Sequence, residues 1–483
     1  MKKLLFLIGI LSSGLYGASI DHIQTYSPDY LSNQAQTGMI DEVSAYYNPA
    51  GLSRLDKGKY VHLGLQLANG HEKMSYKGKE HKAILNQLIP NVSLTSVDDN
   101  GAYFFTFGGL AGGGKLEYDG VSGIDVLSDL DQFKPLGVYD KGSTLTGKNL
   151  YEQATLGRAF TINDQLSVSV AGRIVHGSRN LSGTLNIGTN PSTAYKQAKV
   201  QQVTQEVSKA VDAATQGSGL SAAQIAAIKQ QKTTQALTLL QTKMNALQQN
   251  GLSGDMDSKR EAWGYGFQLG VNYKVNDKLN LAARYDSRIK MNFKAKGSEN
   301  QLQTADIIGS NIGLSTFYPQ YAINSKIRRD LPAILSVGAS YKVTDNYLVS
   351  TSANYYFNRH AKMDRVTTFG GHEHGRDYKN GWEIALGNEY KLNDKFTVIG
   401  SVNYARTGAK NSSFNDTEYA LNSVTLGAGL RYKYDETLSI TGSVAHFIYD
   451  KEDGNFKEKY KVNDNQKYHK EITAFGLSVT KKF

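Results

Sequence analysis

The stretch Trp263–Tyr285 constrains the fold most tightly. The odd positions Trp263, Tyr265, Phe267, Leu269, Val271, Tyr273 and Val275 are all apolar or aromatic. The even positions between them, Gly264 to Lys274, are all small or polar. A period of two gives a strand one greasy face and one wet face. The turn Asn276-Asp277-Lys278 follows, and alternation resumes with Leu279, Leu281, Ala283 and Tyr285. This is a hairpin on a very short turn. Its strands exceed the roughly five or six residues usual in a soluble sheet. Aromatics stand at both ends of the greasy face, as at the two interfaces of a strand that crosses a bilayer.

The same pattern recurs almost to the end of the 483 residues, so one large closed sheet with insertions is expected. Mean hydropathy is −0.42, and no apolar run reaches the roughly 18 residues of a spanning helix. A helical membrane protein is thereby excluded, but a barrel is not, because only alternate residues of its strands meet lipid. The 48 Gly and 30 Tyr suit a crowded lumen and interfacial girdles, and 7 Pro with no Cys suit long paired strands without disulfides.

About fourteen strands can be read, among them Tyr60–Ala68, Pro90–Val97, Leu166–Arg179, Leu279–Phe293 and Tyr347–Lys362. Near-interchangeable turns such as Asp98-Asp99-Asn100, Asn163-Asp164-Gln165 and Asn393-Asp394-Lys395 alternate with long, variable connections. Short turns on one side and large loops on the other predict a 14-stranded antiparallel transmembrane barrel of the outer membrane, with the large loops outside. The longest insertion changes to an Ala- and Gln-rich helical period over about 192–250. Gly217-Ser218-Gly219 divides it, and Ser221 with Gln224 has capping-box spacing. Two helices above the barrel mouth are expected; their apolar faces either pack on each other and the rim or line a groove for a greasy ligand.

At the amino end, Lys2 and Lys3, the apolar Leu4–Leu11 and the small Gly17-Ala18-Ser19 read as a secretory leader over 1–17. Residues 18–56 do not alternate and contain the turn Asn48-Pro49-Ala50-Gly51. Too short for a core of its own, this piece is expected inside the lumen of a barrel formed by 57–483. The terminal Phe483, on one face with Val479, Leu477 and Phe475, looks like the signal read by the barrel-assembly machinery.

Catalysis finds no support. Gly109 to Lys115 spells G-x-x-x-x-G-K, but Leu116 stands where a magnesium-holding Ser or Thr belongs. His372-Glu373-His374 lacks a third metal ligand. No nucleophile constellation can be assembled, and no metal or cofactor is expected. The net charge of +10 comes from scattered Lys and Arg, which argues against nucleic acid. It leaves a solvated loop surface or a basic lumen that attracts anions. Lumen parity places Arg173 and Arg179 on one strand and Asn354, Asn358, His360 and Lys362 on another. Arg179 and Lys362 fall toward the outer end, where they solvate the lumen or meet a ligand carboxylate. The run Gly108, Gly109, Gly112, Gly113 and Gly114 either begins an ordinary loop or kinks the third strand and opens a gap toward the bilayer.

Taken together, the Asn48-Pro49-Ala50-Gly51-Leu52 turn, the Trp263-Gly-Tyr-Gly-Phe hairpin, Tyr285-Asp-Ser-Arg-Ile-Lys-Met-Asn-Phe-Lys294, Leu331-Pro332 and the terminal Phe resemble the outer-membrane long-chain fatty acid transporters of the FadL/OmpP1/TodX group. The resemblance implies a barrel plugged by an N-terminal hatch whose turn maps to Asn48, Pro49 and Ala50. It also implies an inward kink in the third strand beside that turn, at about Gly108 and Gly109, and carboxylate contacts at Arg179 and Lys362. Hydrophobic ligands would be captured at outer loops, held inside and released sideways at the kink. Implied partners are long-chain fatty acids or similar compounds and the lipopolysaccharide and lipid of the outer membrane, for a monomer that binds no nucleic acid. A general diffusion porin and a surface adhesin are the rival readings.

Overall fold

The structure, a computed structural model, describes residues 24–483 except 121, 132, 300–318, 368–370, 376–377, 415 and 417–418. The leader expected at 1–17 lies outside them. Fourteen strands form the wall: β1 Gly58–Tyr76, β2 Lys79–Asp98, β3 Gly101–Tyr118, β4 Thr144–Thr161, β5 Leu166–Thr189, β6 Leu252–Lys274 and β7 Leu279–Asp286, then β8 Ile334–Thr344, β9 Tyr347–Tyr356, β10 Gly381–Lys391, β11 Phe396–Arg406, β12 Ser423–Lys433, β13 Leu438–Tyr449 and β14 Lys467–Lys482. Each pairs antiparallel with its sequence neighbour, and β1 pairs with β14 from Tyr60↔Lys482 to Ser75↔Lys467, so the sheet closes on itself. Closure leaves the sheet without a terminal edge strand, as a bilayer without water to satisfy backbone groups requires.

The two faces obey the alternation. Outward on β6 stand Trp263 (62 % exposed), Tyr265, Phe267, Leu269, Val271 and Tyr273. Inward lie buried polar groups such as Asn272, Asn280, Ser336, Ser352, Asn354 and Asn403. The short turns are held by Asn and Asp side chains: Asn276 Oδ1 accepts from the amides of Lys278 and Leu279, and Asn393 Oδ1 from those of Lys395 and Phe396. These Asx turns at the periplasmic side explain why the turns look interchangeable in sequence.

Several strands run well past the expected ends. β1 and β2 continue to a turn at Lys77 and Gly78, and β5 and β6 continue past Arg179 and Trp263 to Thr189 and Leu252. Above the bilayer the outer face of β6 becomes Ser253, Asp255, Asp257, Lys259 and Glu261, while Leu252, Met256 and Ala262 stay buried inside. Conversely, β7 stops at Asp286 rather than Phe293. The chain turns away, with Ser287 Oγ accepting from the Phe267 amide, and the strand Asn292–Glu299 resumes pairing with β6 over Lys294–Glu299. β9 stops at Tyr356 rather than Lys362, because Asn358–His360 form a 3-10 turn.

From the ends of β5 and β6 rise α1 (Thr193–Thr215) and α2 (Ala222–Asn250). Ser192 caps α1 through the Tyr195 amide, and Ser221 with Gln224 forms a complete capping box on α2. Gly217 and Gly219 at φ +76° and +72° turn the chain between the helices.

Candidate ligand-binding site

The segment from Gln24 to Arg54 is threaded through the barrel. Its short helices Asp29–Ser32 and Ser44–Tyr47 and the 3-10 turn Pro49–Arg54 are almost wholly buried. Inner-face side chains tie it down all round. Ser443 Oγ donates to the Pro28 carbonyl, Ser401 Oγ to that of Ser32, and Ser340 Oγ and Asn280 Nδ2 to that of Gly38. A small residue in the chain is needed where the wall comes closest: a Cβ on Gly38 would lie 2.3 Å from the Ala339 backbone.

Asn48, Pro49 and Ala50 form the foot of this plug. The Asn48 side chain accepts from the Gly51 amide and donates to the Met39 carbonyl and, at 2.7 Å, to Asn272 Oδ1. Pro49 opens the 3-10 turn, where its missing N–H costs nothing. The Ala50 carbonyl accepts from Ser167 Oγ at 2.7 Å. An Asn48→Ala variant leaves those partners unsatisfied and should destabilise the plug by about 1–3 kcal/mol while the strands stay intact. Hydrogen exchange should therefore speed up across residues 24–54 and not in β5 or β6.

Opposite the plug the wall is interrupted. β2 and β3 pair in register from Asp98↔Gly101 to Asn91↔Gly108, and the next paired position is Ala83↔Tyr118. β3 bulges against β4 between Gly109 and Ala111 and again between Ala111 and Gly114. Gly112 and Gly114 have φ of +107° and +80°, open to glycine alone at low cost. Gly108 is thus the last paired residue and Gly109 the first of the interruption. Gly108 is level with Val175 of β5 through Gln153, eight positions along that strand from Ser167 beneath Ala50. The kink therefore does not flank the Asn-Pro-Ala turn, as the resemblance implied. Tyr46 reaches it instead: Asn91 Nδ2 donates to the Tyr46 hydroxyl at 2.9 Å. Leu110 and Ala111 belong to one buried apolar cluster with Tyr26, Tyr30, Tyr46 and Tyr47 of the plug and with Val175, Met291 and Phe293.

At the upper end of this cluster lies an unusual charge arrangement. Arg179 of β5 and Arg260 of β6 are directly opposite each other on the inner face, each 1 % exposed. Like charges at such a pair repel, and more strongly out of water. The Arg260 guanidinium lies 4.0 Å from the Tyr321 ring centre and also faces Phe293. Burial pushes the Tyr321 phenol up, but Arg260 and Arg179 outweigh it and hold the phenol below its ordinary value. Buried Arg329 adds to the same field.

Lys362 does not join this group. The 3-10 turn ends the alternation of β9, and the Lys362 side chain is exposed; among the described residues its hydrogen bonds run through the backbone, with Asp330. Sequence parity overlooked Arg260, because the reading of β6 stopped at Trp263, where the outer face changes from apolar to charged. The side chains of His372, Glu373 and His374 lie outside the described residues, and no group of three metal-ligating side chains occurs among the described ones.

On the outer side, α1 and α2 enclose a groove of about 510 Å³ lined by Val207, Val211, Ile228 and Leu239, with Lys232 among its polar residues.

Residues 140–483 match the family model described as outer membrane protein transport protein (OMPP1/FadL/TodX). The chain belongs to this family. Family relatives include outer membrane protein P1 of Haemophilus influenzae, 24 % identical over 329 residues, 63 % of this chain and 64 % of that one. Another is the long-chain fatty acid transport protein of Escherichia coli O157:H7, 21 % identical over 56 % of this chain and 58 % of its own length. The chain spans about half the length of the curated relatives it matches. Among solved structures, a Pseudomonas aeruginosa FadL homologue superposes with a TM-score of 0.64 at 15 % identity, covering 97 % of this chain and 100 % of that one. The toluene transporter TodX of P. putida superposes with a TM-score of 0.59 at 16 % identity, covering 92 % and 94 %. These structures share the plain 14-stranded barrel fold, and the protein is a multi-pass protein of the outer membrane.

Proposed function

We propose that the protein is a passive outer-membrane channel for long-chain fatty acids or similar hydrophobic acids. The apolar groove between α1 and α2 captures the chain, Arg179 and Arg260 receive the carboxylate, and the tail lies along the apolar cluster toward the interruption between β2 and β3. Release is lateral, into the bilayer. The observation that carries this reading is the buried Arg179–Arg260 pair beside an apolar cluster that reaches the interrupted wall. A carboxylate relieves like-charge repulsion that a neutral hydrocarbon leaves in place. A relative named for long-chain fatty acid transport and neighbours named for toluene both support a hydrophobic cargo, and the arginines favour one with an acid group.

A diffusion porin is disfavoured by the buried plug, since an open aqueous bore is what sugars need. The test is uptake of labelled oleate by a deletion strain carrying this gene. Rescue well above empty vector is expected; none would refute the reading. Reconstituted liposomes should not swell in small sugars.

A further inference from the structure

Outside the barrel, a row of lysines crosses five neighbouring strands. Lys115 of β3 is directly opposite Lys148 of β4, Lys148 is opposite Asn180 of β5, Asn180 opposite Lys259 of β6, and Lys259 opposite Lys296. Directly opposed residues share a face, and this face is the outer one: Lys115, Lys259 and Lys296 are exposed, whereas their neighbours Leu116, Arg260 and Ala295 are buried. At about 4.8 Å per strand the row is about 19 Å wide. Lys294 and Lys326, paired with each other, thicken it.

Its height is set by the aromatic belt. Trp263, level with His176 and Glu152, is the top of the lipid-facing run on β6. Lys259 lies four residues beyond, about 13 Å along the strand and about 10 Å above the belt after allowing for strand tilt. Trp at that belt marks the start of the headgroup layer, so Lys259 stands within it, the row crosses that layer at a slant, and the long lysine stems extend its reach. Lys115 pairs with Glu117, and Lys259 with Glu261 at 2.6 Å. Lys148, Lys294, Lys296 and Lys326 make no ion pair among the described residues.

We propose that this row is a docking surface for the phosphorylated lipid of the outer leaflet, lipopolysaccharide, whose phosphates lie across Lys115, Lys148, Lys259 and Lys296. Two features select this occupant: the complementary charge, and continuity of the row with the lipid-facing belt directly beneath it. The interruption of β3 at Gly109–Gly114 falls between belt and row, so a bound headgroup sits immediately above it. The inference does not depend on the cargo.

The test uses full-length protein in mild detergent, titrated with rough lipopolysaccharide and with the same material after removal of its phosphates. The variant K115Q/K148Q/K259Q/K296Q should bind phosphorylated lipopolysaccharide about a hundredfold more weakly or worse, since each basic residue near an anionic lipid contributes severalfold. A variant with the same charge loss on the helices, K196Q/K199Q/K209Q/K243Q, should stay within about twofold of wild type. Arginines at the four row positions should restore binding. Heat-modifiable migration in gels checks that each barrel is folded. If the fourfold variant does not fold, K148Q/K296Q keeps both ion pairs and should show about a tenfold loss. Unchanged affinity in the row variants, an equal loss in the helix variant, or equal binding of the dephosphorylated lipid would each overturn the proposal.

Discussion

A Gly108→Val, Gly109→Val double variant should insert normally and import oleate no better than an empty vector. A Cβ at Gly109 would stand 3.2 Å from the Ile89 γ2 methyl, and one at Gly108 would stand 3.2 Å from Asn91 Cβ. Both contacts are tight: the Ile89 methyl can turn aside, while Asn91 Cβ must move with its backbone by a few tenths of an ångström. Overpacking of this kind costs about 1–3 kcal/mol, which a closed sheet of this size tolerates. The added methyls fall where β2 and β3 part, so they narrow the opening itself. Gly112→Val makes the instructive contrast. Its φ is +107°, and a Cβ there would come within 2.3 Å of the Asn149 carbonyl oxygen, so the backbone must shift. That variant should lose barrel yield along with uptake. Normal import by the folded double variant would remove lateral release from the mechanism.

The second large effect is expected at Arg260. Changing it to Gln should weaken oleate binding by about one to two powers of ten, the worth of a charge-assisted hydrogen bond of about 1.5–3 kcal/mol. Binding of oleyl alcohol should be unaffected. The stability of the empty protein should change little, because relief of the like-charged Arg179 at the directly opposed position offsets the lost contact with the Tyr321 ring. Displacement of a fluorescent fatty acid reads the first effect and thermal unfolding the second. A merely structural role for Arg260 would instead lower stability and weaken alcohol and acid alike.

The barrel was legible because the bilayer imposes one rule on every strand it touches. From Trp263 to Tyr273 the outer residues must be apolar, and alternation then fixes register and face. The rule lapses where lipid ends. Beyond Trp263 the outer positions turn to Lys259 and Asp257 while Met256 still points inward, so the strand continues but the pattern inverts. Arg260 was lost at that boundary. Lys362 was misplaced for the opposite reason: alternation was carried through Asn358–His360, where a 3-10 turn shifts the phase. Met291 and Phe293 join the apolar cluster from outside any long strand, and nothing local in the sequence announces a contact made across the bore. The helices were readable because Ser221, Gln224 and the Gly217–Gly219 break act within a few residues of themselves.

The closing seam dictates an order of assembly. Strand β1 finds its last partner only in β14, so the cylinder cannot be sealed before the carboxy-terminal residues exist. Pro28 is wedged against that joint from within: a Cβ on Gly64 of β1 would meet its ring at 2.5 Å, and one on Gly476 of β14 would meet its Cβ at 2.7 Å. Pro28 therefore presses on both strands of the joint at once, so plug and seam brace each other in the finished ring. A ring without its leading segment would lose the wedge behind its own joint.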